Sequence, residues 1–165
     1  MLRPITQEDA PAVFAWASDP EVNRYMPYPL HKSIEDTRAW IASITPDMLE
    51  FGFCRKDSGQ LIGTGGVGKN EEGVHTLGYN LRHDAWGYGY ATEAAQAMLA
   101  WAYHSLGVRD FVLDHAVLNT ASGNVARKCG FQLTHYGQYS RFDGSETFDA
   151  AFYELHLKGD EAYVY

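Results

Sequence analysis

Hydrophobic positions along the chain change their spacing several times, and each change marks an element. Leu2 to Ile5 reads as a short strand. Thr6, with Asp9 three residues on, is an N-cap signature ahead of a helix over Ala10 to Ala17. The stretch Asp19 to His31 carries Pro20, Pro27 and Pro29 among the aromatics Tyr25 and Tyr28, which excludes one regular helix. Ser33 with Asp36 repeats the cap signal, and Ile34, Ala39, Trp40 and Ile44 support a second helix. The middle of the chain is strand-rich. Phe51 to Cys54 precedes a turn signal at Asp57-Ser58-Gly59 and a further strand at Leu61-Ile62. Glu71-Glu72-Gly73 marks another turn before a strand over Val74 to Leu81. From Tyr90 the pattern becomes helical: Ala91, Ala94, Ala95, Met98, Leu99, Ala102, Tyr103 and Leu106 form one apolar stripe, closed by Gly107. Phe111 to Leu113 is a short buried strand, Ser122 to Lys128 a short helix ended by Gly130, and Phe131 to Leu157 two strands around a turn at Asp143-Gly144. The order β-α-α-β-β-β-α-β-α-β-β predicts an α/β chain with a central mixed sheet and helices on its faces.

Composition narrows this picture. The 165 residues are 45% hydrophobic and 21% charged, the balance of one ordinary globular domain. Thirteen Lys and Arg face 21 Asp and Glu, a net charge of -8. Such a chain is a poor non-specific binder of nucleic acid and better suited to a cationic substrate. No run reaches the roughly 18 apolar residues of a membrane span, and the N-terminus turns acidic at Glu8 and Asp9 without a signal core, so a soluble, cytoplasmic protein is expected. Cys54 and Cys129 form no CxxC pair and read as two buried thiols. The histidines show no metal-ligand spacing, and no metal is expected.

Gly63 to Asn70 fits GxGxxG, and it misses the P-loop pattern at its last position, where Asn70 lacks the hydroxyl that holds Mg²⁺. Both motifs need a helix starting at the loop. Glu71-Glu72-Gly73 instead places two carboxylates and a turn there. A glycine-rich strand and hairpin is the expected form, with a nucleotide-binding loop as the weaker alternative.

The segment Leu77 to Ala94 has the context the first one lacks. A strand enters a loop containing Gly87 and Gly89, and the long amphipathic helix leaves it. Amides converging at a helix N-terminus suit a pyrophosphate. With Trp86-Gly87-Tyr88-Gly89-Tyr90-Ala91-Thr92-Glu93-Ala94, the Leu2-Arg3-Pro4 start, and the run Asn119 to Phe131, which matches N-x-x-S-x-x-V…K-x-G-F, the chain resembles the GNAT acyltransferases over nearly its whole length. Within them it is similar to the branch that includes RimJ and RimL, which acetylate ribosomal protein N-termini. The resemblance implies a GNAT fold: a mixed, mostly antiparallel sheet of about seven strands, splayed between the fourth and fifth and flanked by about four helices.

It also implies acetyl-CoA as cosubstrate and an amine as acceptor, either a small molecule or a protein N-terminus. The family's Q/R-x-x-G-x-G/A pattern falls on Trp86, Gly89 and Ala91, so Trp86 removes a cationic phosphate contact and leaves more to amides from Gly87, Tyr88, Gly89, Tyr90, Ala91 and Thr92. The pantetheine arm would pair with backbone from Tyr79 to Leu81, with Asn119 near it and Ser122 near the thioester sulfur. Amides near Tyr79 and Asn80 are the expected oxyanion donors. Where relatives often carry a tyrosine acid this chain has Ala126, which leaves Ser122 as proton donor to the sulfur or, alternatively, as a plain helix cap. Where RimL-like members carry a glutamate base it has Thr76. His75 is next door but points to the other sheet face. Tyr25 and Tyr28 are expected to line the acceptor side, facing a hairpin in which Asp143 or Glu146 can collect a cation. A homodimer is compatible with the resemblance. The alternative to catalysis is a module that binds CoA with little turnover, suggested by Thr76 and Ala126.

Overall fold

The computed structural model describes residues 1–46 and 48–158. The elements follow the expected order: β1 (Leu2–Pro4), α1 (Ala10–Ala17), α2 (Ile34–Ser43), β2 (Glu50–Cys54), β3 (Leu61–Lys69), β4 (His75–Leu81), α3 (Tyr90–Leu106), β5 (Asp110–Ala116), α4 (Thr120–Lys128), β6 (Gln132–Ser140) and β7 (Thr147–His156). Single 3-10 turns at Gln7–Asp9 and His83–Ala85 lead into α1 and toward α3. The seven strands form one sheet in the order β1-β2-β3-β4-β5-β7-β6. All neighbouring pairs are antiparallel except β4 and β5.

The second cap signal acts as the sequence suggests, whereas the first caps the 3-10 turn Gln7–Asp9 that leads into α1, and Asp9 is the N-cap of α1 itself. The Thr6 N–H donates to the Asp9 carboxylate at 2.9 Å, and at α2 the Ser33 N–H donates to Asp36 while the Asp36 N–H returns to Ser33 Oγ. The glycine-rich run is β3 itself, much longer than the pair Leu61-Ile62 that periodicity suggests. From Gly63 to Gly66 it lies between β2 and β4, and those neighbours leave no room for a Cβ at Gly63, Gly65 or Gly66. A Cβ on Gly63 would sit 2.4 Å from the Asn80 carbonyl oxygen. The run therefore serves close strand packing, and the phosphate-loop alternative fails because no helix follows it. The last short helix starts two residues earlier than expected, at Thr120, because Asn119 caps it.

Two hydrophobic layers cover the sheet. On one face α3 buries Ala95, Met98, Leu99 and Ala102 completely against Phe53, Val67, Leu77, Phe111 and Leu113, with Ala126 of α4 joining them. On the other, Val13 and Trp16 of α1 pack with Val22, Cys54 and Leu61. Cys54 and Cys129 are both buried and are not joined to each other. Among the described residues, no helix is long and apolar enough to cross a membrane.

β4 and β5 pair only at His75–Phe111 and Thr76–Val112. Beyond these, Leu77 to Leu81 on β4 and Leu113 to Ala116 on β5 have no partner across the gap. The sheet opens there into a V with unpaired backbone along both edges.

Candidate active site

The V opens toward the loop before α3. Gly87 and Gly89 both hold φ +83°, a left-handed conformation that strains any residue with a Cβ. Gly89 is the N-cap of α3, and the first intrahelical bond runs from the Glu93 N–H to its carbonyl at 3.1 Å. The amides of Tyr90, Ala91 and Thr92 precede that bond and have no intrahelical acceptor. A Cβ on either glycine would meet nothing within 4 Å, so the space beside these amides is open. The arrangement fits the diphosphate of CoA: free amides, a helix N-terminus and no side chain in the way. Trp86 is held in place at this loop. Its indole N–H donates to the Leu81 carbonyl at 3.0 Å, and its ring lies 4.4 Å from His83. Tyr88 is 71% exposed and stacks on Tyr90.

Strand alternation decides which amides face the V. The Arg82 N–H donates to the Ile62 carbonyl, continuing the register that pairs Asn80 with Thr64 and Gly78 with Gly66. Even-numbered residues of β4 therefore bond to β3, and odd-numbered ones point away from it. By this alternation the Tyr79 and Leu81 amides face the gap, whereas the Asn80 amide is directed to Thr64. What Asn80 offers instead is its side chain, on the opposite face from α3.

Across the V, Asn119 Oδ1 accepts from the Ser122 N–H at 3.3 Å and so caps α4. Ser122 is thereby relieved of capping, and its hydroxyl lies 2.9 Å from the Tyr79 hydroxyl. This contact joins the strand edge to the first turn of α4. Burial pushes the Tyr79 phenol well above its usual range, so it stays protonated at neutral pH. Ala126 is fully buried in the core. His75 lies on the α3 face, 6.2 Å from Phe111, on the opposite side of the sheet from the Asn80 side chain.

On the other face, the Asn80 Nδ2 donates to Asn23 Oδ1 at 3.2 Å and approaches the Tyr28 hydroxyl at 3.4 Å. Tyr28 exposes 39% of its surface, but its hydroxyl end lies deep, and burial pushes the phenol up to about 12. Tyr25 is a packing residue: its ring meets Phe148 edge-on at 5.9 Å, and its carbonyl accepts from the Tyr139 hydroxyl. Glu146 accepts from Arg24 at 3.0 and 3.1 Å and from Arg141 at 3.4 Å. Its carboxylate is engaged in tying the β6–β7 hairpin to the segment after α1. Asp143 caps its own turn through the Ser145 N–H. A carboxylate that periodicity leaves unremarked, Glu50 at the start of β2, projects onto this same face. In sequence it reads as a polar strand end; only the pairing of three strands brings it inward.

Comparison with known proteins agrees with this geometry. The family model described as "Acetyltransferase (GNAT) domain" matches residues 1–132. The chain is 30% identical to the uncharacterized N-acetyltransferase p20 of Bacillus licheniformis, over 79% of this chain and 78% of that protein. A GNAT-family acetyltransferase structure from Bacillus anthracis superposes with a TM-score of 0.84 at 25% identity, covering 94% of this chain and 93% of the other. The RimL ribosomal L7/L12 alpha-N-protein acetyltransferase in complex with CoA superposes with a TM-score of 0.81 at 20% identity, over 96% and 94% of the two chains, a likeness of fold.

Proposed function

The chain belongs to the GNAT acetyltransferases, enzymes that use acetyl-CoA, and from this premise we propose that its acceptor is a primary amine of low pKa, with a protein or peptide N-terminus favoured, as in the RimJ and RimL branch. The observation that carries the reading is the V between β4 and β5, edged by free amides and closed on one side by the Tyr79–Ser122 contact.

When bound, acetyl-CoA supplies an activated acyl group on a thioester. The Tyr90, Ala91 and Thr92 amides, with Gly87 and Gly89 giving access, hold its diphosphate. The backbone of Tyr79 and Leu81 offers strand-like pairing to the pantetheine arm, and one of these two amides donates to the carbonyl oxygen as negative charge develops there. Ser122 gives its hydroxyl proton to the departing sulfur. The Tyr79 hydroxyl lies 2.9 Å from Ser122 Oγ, and as donor in that contact it leaves the serine proton directed at the V. Asn119 sets the position of Ser122 by capping α4. On the opposite face, Tyr28 and Asn80 line the approach of the amine.

Proton energetics favour an N-terminal amine. A free α-amine, with a pKa of roughly 8, is about one-tenth neutral at pH 7, a penalty near 1.4 kcal/mol, and a lysine amine near 10.4 pays about three times as much. An amine panel read by release of free CoA thiol tests the assignment. Peptide N-termini are expected to exceed lysine side chains and polyamines by at least about tenfold in kcat/KM, in line with that penalty. The reverse order sinks the acceptor assignment. Tight acetyl-CoA binding without turnover across the panel would instead support a CoA-binding module.

A further inference from the structure

Three strands contribute to one small area of the acceptor face. Glu50 of β2 pairs with Gly66 of β3, and Gly66 pairs with Gly78 of β4. Paired residues project from the same face, so a glutamate and two glycines lie side by side across the sheet. The glycines leave a flat floor, and the glutamate bends over it. Glu50 Oε2 lies 2.6 Å from the point a Cβ on Gly66 would occupy. The carboxylate is thus directed across β3 toward β4. Beyond it the floor is open: a Cβ on Gly78 would meet nothing within 4 Å. Gly78 also lies on the unpaired edge of β4, where the V begins. Tyr28 and Asn80 stand beside this floor, and the charge of Glu50 is felt at the Tyr28 phenol.

Resting on the acetyltransferase reading above, we propose that Glu50 is the catalytic base that takes a proton from the acceptor ammonium, reaching the reaction point from β2 across Gly66 and doing the work that Thr76 on β4 cannot. Glu50 is half-buried and has no hydrogen-bond or ion-pair partner among the described residues. A carboxylate placed so is costly unless a cation comes to it, and the ammonium form of the acceptor is that cation. Its electrostatic state suits the role. Burial alone raises its pKa to about 7, within roughly one unit of an α-amine and more than three below a lysine amine. Proton transfer from an N-terminal ammonium is therefore nearly balanced, which deepens the preference for that acceptor.

The groups that face Glu50 are few. β3 and β4 present Thr64, Thr76 and Asn80 on this face, none of them ionisable near neutrality. The segment between α1 and α2 presents the Tyr28 phenol, which stays neutral. Across the V, β5 presents Asp114, two residues beyond Val112 on the same face, its carboxyl also raised by burial. Asp114 is the competing carboxylate. It stands on the far wing of the V, whereas Glu50 Oε2 already overhangs the floor beside Gly78.

The proton balance is simple. The ammonium gives one proton to Glu50. The neutral nitrogen forms the C–N bond as the C–S bond breaks, and its second proton leaves as the sulfur gains one through Ser122. Glu50 then returns its proton to solvent, so the turnover releases one proton, one amide and one free thiol.

The test compares Glu50→Gln and Asp114→Asn with the unmodified protein, using a peptide N-terminus as acceptor and titrating kcat/KM from pH 6 to 9.5. At pH 7, Glu50→Gln is expected to lose about a hundredfold, the usual contribution of a general base, with acetyl-CoA affinity by calorimetry within twofold. The rising limb near pH 7 should vanish, and the deficit should shrink toward pH 9.5, where the amine is neutral unaided. Asp114→Asn should keep that limb. A deficit of equal size at all pH values, or a limb lost in Asp114→Asn instead, overturns the proposal. A readout without turnover separates it from the acetyltransferase reading: a carbon-13 titration of the Glu50 carboxyl, assigned by its absence in Glu50→Gln. A midpoint near 7 supports the proposal, and one near 4.5 overturns it whether or not any amine is acetylated.

Discussion

At the scale of single residues, the proposed mechanism divides the proton chemistry between Ser122 and Glu50. Replacing Ser122 by Ala removes the proposed donor to the sulfur but leaves the α4 cap on Asn119 intact. We expect kcat to fall by about tenfold to a hundredfold, less than for a poor leaving group because a thiol leaves readily. The KM for acetyl-CoA should stay within twofold by steady-state thiol release. Glu50 carries a stability consequence of opposite sign to its catalytic one. Its folded pKa, about 7, lies above the unfolded value of 4.5. The folded protein therefore holds this proton more tightly, and the associated stability is complete below pH 4.5 and lost as pH rises through 7. Glu50→Gln should thus be more stable than the unmodified protein at pH 8, by on the order of 1–2 kcal/mol, and close to it at pH 4.5. Denaturant midpoints at the two pH values check this. The serine and tyrosine hydroxyls that meet at 2.9 Å are 43 positions apart, and the carboxylate that overhangs a glycine lies 16 positions from it. Ser122 was legible because it falls in a recognisable run. Glu50 was not, since nothing near it in sequence marks it as directed inward.

At the scale of elements, the site depends on two helix N-termini aimed at one gap. α3 is anchored by its stripe of buried Ala95, Met98, Leu99 and Ala102, which periodicity alone identifies. Its start is fixed by Gly89, and its end by Gly107 at φ +68°. α4 is short, and Asn119 holds its first turn. Asn119→Ala should cost about 1 kcal/mol of stability. It should cost more in kcat than that figure implies, because the freed turn carries Ser122. Thermal unfolding and kcat measured on the same variant separate the two effects; equal losses would reduce Asn119 to a stability role. The strand elements carry a different lesson. β3 looked like a phosphate loop by pattern and is a strand by context, since the neighbours of its glycines are backbone and side chains of β2 and β4.

At the scale of the whole molecule, the face proposed to receive the acceptor is assembled from parts distant in the chain. Arg24, after α1, and Arg141, at the end of β6, meet on Glu146, which draws the last hairpin against the Tyr25–Tyr28 segment. The Arg24 guanidinium holds the Glu146 carboxyl below its usual range, so the clamp persists at neutral pH and weakens only as pH falls through that lowered value. Glu146→Gln should raise the KM for the amine severalfold while leaving the acetyl-CoA KM and the melting temperature nearly unchanged, as expected of a solvent-exposed pair. An unchanged amine KM would separate the clamp from acceptor binding. The sequence by itself determined the element order, the buried stripe of α3, the cap of α2 and the glycine loop before α3, because periodicity, capping and left-handed backbone are local properties. The tertiary structure alone decided where β4 and β5 part, which β4 amides face the gap, that Glu146 is spent on arginines, and that Glu50 overhangs Gly66. These depend on register between strands, and register is settled by the partners a strand meets across space rather than by its neighbours along the chain.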